Sequence, residues 1–299
     1  MSTKVTVIGL GIMGLPMAKN LLKAGFEVTG YNRSQPKIDD LVAAGGNGAS
    51  SVAASVKDAD VIITMVPDSP DVEDVLTGED PIVGNAKTGA LWIDASTIRP
   101  DVAQRLAATA KEAGLRPLDA PVSGGEQGAI DAVLSIMVGG EAADLEAAQP
   151  VLDAVGKTIV HVGPSGAGQT VKAANQLIVA GNIAVLSEGL LFLERHGADL
   201  PAAIKVLGGG LAGSKVLDQK AEKIRTREFA PGFRLALHNK DLGIITSAAR
   251  EAQLPLPVAT LVAQLVTSNL AAGDAGLDHS GIFRALARIA GVDPDTPAA

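Results

Sequence analysis

Short apolar runs alternate with longer amphipathic stretches through the first half of the chain. The runs at 4–9, 28–32, 61–66, 91–94, 116–119, 134–138 and 158–162 each carry β-branched or other large apolar residues. Several are apolar without alternation, as in Val61-Ile62-Ile63. Strands buried on both faces of a parallel sheet read this way, because helices cover both sides. The alternation predicts a doubly wound α/β domain over residues 1–163. Beyond about residue 165 the texture changes. Residues 166–196 hold no proline and carry Ala, Leu, Val, Ile and Asn at helical spacing, which predicts one long helix. Its segment 177–186 is nearly apolar all round, predicting burial on most faces. The remainder alternates helical stretches with loops at 208–213, 229–233 and 271–279. No strand pattern occurs there, so residues 164–299 are expected to be all-helical. The tail 293–299, with two prolines, is expected to fray.

A length of 299 residues is enough for two ordinary domains, each with its own core. Aromatic residues make up only 2%, so that core must be aliphatic. The absence of cysteine excludes disulfides and thiolate metal sites, and fits a reducing compartment. None of His161, His196, His238 and His279 pairs with another at metal-ligand spacing, so no metal is expected. The net charge of -8, with no basic run to offset it, disfavours nucleic acid and anionic membranes as partners. No uninterrupted apolar stretch reaches the roughly 18 residues that span a bilayer. The start Met1-Ser2-Thr3-Lys4 shows no signal-peptide pattern, and the expected location is the cytoplasm.

Val5-Thr6-Val7-Ile8 leads into Gly9-Leu10-Gly11-Ile12-Met13-Gly14. Glycines at this spacing permit a tight turn, close approach of backbone to a pyrophosphate, and close helix–strand packing. The helix that follows, 15–23, aims its N-terminal amides at the phosphates. A strand before, a helix opening after and a second strand beyond are the context this motif requires. The second strand ends in Asn32-Arg33-Ser34. An NAD site normally places a carboxylate here, which would repel a 2′-phosphate. A cation and a hydroxyl instead favour NADP(H), with Arg33 able to stack on adenine. NAD(H) served by Asn32 is the other reading. Met65-Val66-Pro67 and Asp94-Ala95-Ser96-Thr97 close two further strands, where ligands of such sheets lie. Ser96 or Thr97 is expected either to bond the nicotinamide carboxamide or to cap the helix before Pro100.

Ser123-Gly124-Gly125 after a strand offers one hydroxyl and exposed amides, chemistry suited to a substrate carboxylate. Lys172 and Asn175, at i and i+3, share one face of the long helix. A lysine there is either a snorkelling surface residue or a proton donor lodged in a cleft. Burial lowers a lysine pKa, so such a group exchanges a proton near neutral pH. His238-Asn239-Lys240-Asp241 adds a polar cluster, with Lys240 either in a surface ion pair or reaching nicotinamide or substrate.

The segments Gly9–Gly14 with Pro16-Met17-Ala18, Asp119–Gly125, Gly166–Gln176 and Asn239–Leu242 together resemble the β-hydroxyacid dehydrogenases, in order and over nearly the whole chain. The resemblance implies a Rossmann-type N-terminal domain, a long interdomain helix, and an all-helical C-terminal domain that binds substrate and makes a homodimer or homotetramer. It implies that Ser123, Gly124 and Gly125 bind substrate, that Lys172 is the catalytic acid/base, and that Asn175 and Lys240 complete the pocket. Residues 208–214, 237–242 and 278–280 look most like members that reduce a short 3-oxo acid. The missing carboxylate at Asn32 departs from bacterial members and keeps NADP favoured. A non-catalytic nucleotide-binding protein is the contrasting expectation. It has no need of Ser123, Lys172, Asn175 and Lys240 together.

Overall fold

In the computed structural model, which describes residues 2–297, the chain forms two compact units, one ending at Lys172 and one starting at Ala173. The first unit contains β1 (Lys4–Ile8), α1 (Gly14–Lys23), β2 (Glu27–Tyr31), α2 (Gln35–Val42), β3 (Asn47–Gly48), α3 (Val52–Val56), β4 (Val61–Thr64), α4 (Ser69–Thr77), β5 (Leu91–Asp94), α5 (Pro100–Glu112), β6 (Arg116–Asp119), β7 (Val122–Ser123), α6 (Gly125–Ile130), β8 (Leu134–Gly140), α7 (Ala142–Asp153) and β9 (Gly156–Gly163). Helix α8 (Ala167–Arg195) begins in this unit and continues into the second.

The sheet runs β3-β2-β1-β4-β5-β6-β8-β7, with β9 also paired to β8. From β3 to β6 every pairing is parallel. The strand order reverses direction between β1 and β4, and the crevice beyond their carboxyl ends is where such sheets take ligands. Val61, Ile62, Ile63 and Thr64 are all buried, as are all four residues of β5, because apolar side chains leave both faces of the sheet. One apolar cluster, around Val5, Val7, Leu21, Ile63 and Leu118, fills one face. Another, around Ile62, Leu76, Trp92 and Leu106, fills the other.

Beyond β6 the sheet is mixed: β9 pairs parallel with β8, but β8 itself runs against its other neighbours. β8 pairs antiparallel with both β6 and β7. The connection from Ser123 to Leu134 holds only the short α6, too little chain for a parallel crossover of a dozen residues or more. The two-residue strands β3 and β7 leave no periodicity to read.

The second unit is helical among the described residues: α9 (Leu200–Gly208), α10 (Lys215–Thr226), α11 (Leu235–Glu251), α12 (Pro257–Ala271) and α13 (Ile282–Ile289) follow the rest of α8. Ala180, Ile183, Leu242, Val262 and Ile282 form one core cluster and Leu190, Ile224, Phe229 and Phe283 another. Arg227 ends α10 in the left-handed region at φ +59. Its guanidinium donates to Glu194 at 2.7 Å, with both side chains buried, and lies 4.1 Å over the Phe283 ring. His238 and His279 meet through their Nδ1 atoms at 3.2 Å and share the edge of Phe233.

Burial on most faces of residues 177–186 is not what the structure has. Ile178, Val185 and Phe192 are 61%, 69% and 63% exposed, seven residues apart along one line of α8. By length and composition α8 is a helix apolar enough to cross a bilayer, although Asn175, Gln176, Asn182 and Ser187 interrupt its apolar runs. Yet its Ala180, Ile183 and Leu190 enter the core, and Gln176 and Ser187 are buried on it, which is the pattern of a core helix. In the tail, Asp295 is bound by Arg284 instead of fraying; Ala298 and Ala299 lie outside the described residues.

Candidate active site

The first loop shows why its glycines are glycines. Gly9 sits at φ +96, and a Cβ there would overlap the carbonyl of Met65 at the end of β4. A Cβ on Gly14 would overlap the Gly9 carbonyl. Gly11 has nothing within 4 Å of its Cβ position, so its backbone is open to an approaching group. Ile12 is exposed and Met13 half-buried beside it. Closed packing at Gly9 and Gly14 with an open face at Gly11, at the first turn of α1, fits a dinucleotide pyrophosphate. The Asn32 Oδ1 accepts the Leu10 amide at 3.0 Å and so braces this loop from the end of β2. Arg33 is 80% exposed along its side chain, 3.6 Å from Asp71. Ser34 precedes α2 without capping it through its side chain.

The ends of β4 and β5 are tied by buried polar groups. Ser96 is buried; its Oγ accepts the Val66 amide at 3.0 Å and donates to the Thr64 carbonyl at 3.5 Å. Its hydroxyl is therefore engaged with strand ends, and α5 is instead preceded by Arg99. Thr97 is half-buried, Met65 and Val66 likewise, and Pro67 is exposed. Asp94 accepts from Thr64 Oγ1 at 2.7 Å and from the Ser96 amide at 3.2 Å through Oδ1, while Oδ2 has no protein partner among the described residues. Burial pushes the Asp94 carboxyl up to about 6, against those hydrogen bonds, and the nearby Asp119 charge adds to the rise.

That shift has a sign. The folded state keeps a proton that the unfolded carboxyl releases near 3.8. Stability is therefore lost as pH rises from about 4 through 6. Asp94→Asn keeps the acceptor and removes the charge. It is expected to exceed the native chain in stability at pH 8 by on the order of 2–3 kcal/mol, with the gap closing toward pH 4. Denaturant melts of both proteins across that range check this; parallel pH profiles would refute it.

The segment Val122–Gly125 and Lys172 meet within the first unit. Gly124 and Gly125 take φ +144 and +64, which only glycine adopts at ease, and both are exposed beside half-buried Ser123. Lys172, only 7% exposed, donates from Nζ to the Val122 carbonyl at 2.7 Å, one residue from Ser123. The snorkelling alternative is excluded by that burial. Asp119, at the end of β6, accepts the amides of Gly166 at 2.7 Å and Gln169 at 3.0 Å, and burial raises its pKa against those bonds.

Within the second unit Asn175 and Lys240 belong to one network. Asn175 Nδ2 donates to Gln176 Oε1 at 2.9 Å; Gln176 Nε2 donates to Asp241 Oδ2 at 2.5 Å. Lys240 lies 3.2 Å from Asp241 Oδ1, largely buried and not on the helix surface. Asp94, Asp119 and Gln169 carry the contacts of the first unit and Gln176 and Asp241 those of the second, and the sequence assigns none of these five a role. The only local signal was the Gly166-Ala167-Gly168 run, too small-sided for an ordinary helix start.

Comparison with known proteins agrees with this geometry. Residues 4–163 match the model for the NAD binding domain of 6-phosphogluconate dehydrogenase, and 166–286 that for the NAD-binding domain of NADP-dependent 3-hydroxyisobutyrate dehydrogenase. The chain is 42% identical to 2-hydroxy-3-oxopropionate reductase of Escherichia coli K12, over 95% of this chain and 97% of that one. It is 35% identical to 2-(hydroxymethyl)glutarate dehydrogenase of Eubacterium barkeri, over 97% of each. The structure of Mycobacterium tuberculosis 3-hydroxyisobutyrate dehydrogenase with L-serine superposes with a TM-score of 0.88 at 33% identity, covering 96% of this chain and 99% of that one. The fold and these matches define an NAD(P)-dependent oxidoreductase. The chain belongs to the β-hydroxyacid dehydrogenase family.

Proposed function

We propose that the protein reduces tartronate semialdehyde (2-hydroxy-3-oxopropionate) to glycerate, reversibly, with NADP(H) preferred over NAD(H). The observation that carries this reading is the buried Lys172 ammonium beside the strand end bearing Ser123, at 2.7 Å from Val122 O. Bound nicotinamide supplies the hydride. The Ser123 hydroxyl and the amides of Gly124 and Gly125 hold the substrate carboxylate, which orients the aldehyde carbon for transfer. Lys172, as ammonium, stabilises the developing alkoxide and donates its proton. In the oxidative direction neutral Lys172 takes the alcohol proton. Asn175 and Lys240 complete the pocket. The choice of substrate follows the relative from Escherichia coli. A 3-hydroxyisobutyrate or succinic semialdehyde enzyme is the second reading, favoured by the superposed mycobacterial structure. A non-catalytic NADP-binding protein leaves the buried lysine without a purpose.

Consumption of NADPH and NADH with tartronate semialdehyde or succinic semialdehyde, and reduction of NADP+ and NAD+ by 3-hydroxyisobutyrate, decides among these. Turnover of the first with NADPH supports the assignment. Turnover only of another keeps the chemistry and discards the substrate, and NADPH binding without any turnover favours the non-catalytic protein. The proposed cofactor preference rests on Arg33, an exposed cation that lies 3.6 Å from Asp71 and is followed in the chain by Ser34 and preceded by uncharged Asn32. Losing one charge-assisted pair costs about 1.5–3 kcal/mol, so Arg33→Ala is expected to raise KM for NADPH at least about tenfold. KM for NADH should rise far less, since only the stacking of Arg33 on adenine, and no pair with a 2′-phosphate, is lost. Equal effects on both cofactors would overturn the preference. We further propose a homodimer or homotetramer formed through the helical unit. The exposed line Ile178, Val185 and Phe192, with exposed Val258 and Leu261, supports that reading.

A further inference from the structure

We infer that Asp119 and Gln169 are positioning residues: together they lock the first turn of α8, and so Lys172, to the strand end that leads to Ser123 and to the loop that carries Ser96 and Thr97. The inference rests on the reading of Lys172 as proton donor and deepens it.

The start of α8 has no side chain of its own to cap it, because the residue before it is Gly166. Its free amides need acceptors. Asp119, 47 residues earlier, supplies them: one oxygen takes Gly166 N–H at 2.7 Å and the other Gln169 N–H at 3.0 Å. The carboxylate is enclosed by glycines. A Cβ on Gly139 would lie 2.5 Å from Oδ1, and one on Gly168 would lie 2.8 Å from Oδ2. Gln169, 1% exposed, then uses both ends of its carboxamide on the neighbouring loop. Its Oε1 accepts Ile98 N–H at 3.1 Å, and its Nε2 donates to Ser96 O at 2.8 Å. One turn further on stands Lys172, i+3 from Gln169 and so on the same side of the helix.

Position 166 itself has no room for a capping side chain: its φ is +89, and a Cβ there would lie 2.6 Å from the Gln104 side chain and 3.0 Å from the Pro100 carbonyl oxygen. A remote carboxylate, whose burial works against its ionisation, adds what a local cap does not: a fixed distance between β6 and the helix. Ser123 follows Asp119 by four positions, and Lys172 follows Gln169 by three. Both contact sets lie within the first unit. Loosening either lets the lysine amine drift from the substrate segment while the first glycine loop keeps its own packing.

The test compares Asp119→Ala, Asp119→Asn and Gln169→Glu with the native enzyme. Asp80→Ala serves as control: Asp80 caps α3 from a distance in the same way, through the amides of Val52 and Ala53, away from the site. Displacing a reacting group by about 1 Å costs on the order of 100-fold, so kcat of Asp119→Ala and Gln169→Glu is expected to fall by about that factor. KM for substrate and Kd for NADPH should change little, and Asp119→Asn, which keeps one acceptor, should fall between. Asp80→Ala should lose Tm but keep kcat. In parallel, reductive methylation read by mass spectrometry should find Lys172 protected in the native protein, unlike exposed Lys57, and reactive in Asp119→Ala and Gln169→Glu. Native kcat and native Lys172 protection in both variants would overturn the inference. A loss confined to KM, or an equal kcat loss in Asp80→Ala, would overturn it as well. If the native protein turns over no short 3-oxo acid, the functional reading falls on its own and the Lys172 labelling alone decides the positioning role.

Discussion

Lys172→Ala is expected to lower kcat by about two to four orders of magnitude, the range that a positioned proton donor contributes. Kd for NADPH should be nearly unchanged, because the first loop and its glycines lie elsewhere. The native amine is buried and already donates to the Val122 carbonyl, so its protons point along the segment where the carboxylate-binding Ser123 is proposed to act. Alanine leaves no group there to meet the developing alkoxide. Lys172→Arg separates two contributions. Arginine keeps the positive charge but holds its proton far above neutral pH and presents it on a larger planar group. If proton donation dominates, the arginine variant is as slow as the alanine variant. If charge alone matters, it recovers a large part of the rate. Steady-state rates with NADPH, beside direct cofactor titration, measure both. Full activity in Lys172→Ala would sink the mechanism outright.

Arg227→Ala is expected to destabilise the helical unit by about 3–5 kcal/mol, the usual result of leaving one member of a buried ion pair alone. Glu194 and Arg227 are 9% and 2% exposed, so neither side chain has bulk water to turn to. The guanidinium also donates to the Ile224 carbonyl at the end of α10 and covers the Phe283 ring, so truncation removes a helix-end contact and a cation–π contact too. Replacing both partners by apolar residues of similar size, as in Arg227→Met with Glu194→Leu, should recover most of the loss, since no charge is then stranded. Guanidinium melts of the single and double variants test this. A single variant within about 1 kcal/mol of native, the range of exposed ion pairs, would mean that water reaches Glu194.

The parts of the fold that were legible in the sequence are those set by short-range sterics. The turn from β1 into α1 needs Gly9 at a positive φ and Gly14 without a Cβ, and both requirements act within a few residues. Buried parallel strands announce themselves because both faces are apolar at once, as at Val61–Thr64. The long helix was visible from composition, but which side it buries was not. Ile178 and Ile183 are the same residue type, yet the first is 61% exposed and the second fully buried, and only packing partners decide that. The reversal of β8 was hidden for a similar reason: its own residues read as any strand, and its direction follows from the short connection before it. Ser96 was correctly placed at a strand end, but its hydroxyl is held by Val66 and Thr64, neighbours 30 and 32 residues away. The polar framework around Asp119 and Gln169 was illegible for the same physical cause. A carboxylate that caps a helix 47 residues downstream leaves only a glycine where the local cap would have been.

Asp119 and its glycines also set the order in which this sequence can drift. Gly168 is fixed whatever becomes of Asp119, because the backbone oxygens of Met137 and Asp119 themselves crowd its Cβ position. Gly139 is different: the three nearest atoms its Cβ would meet all belong to the Asp119 carboxyl group. An alanine at 139 therefore collides with the carboxyl group while Asp119 stands, and loses its three nearest obstacles once that residue has been shortened. The two positions lie twenty residues apart in the chain, yet they form one inherited unit, in which the history of one site dictates what the other tolerates.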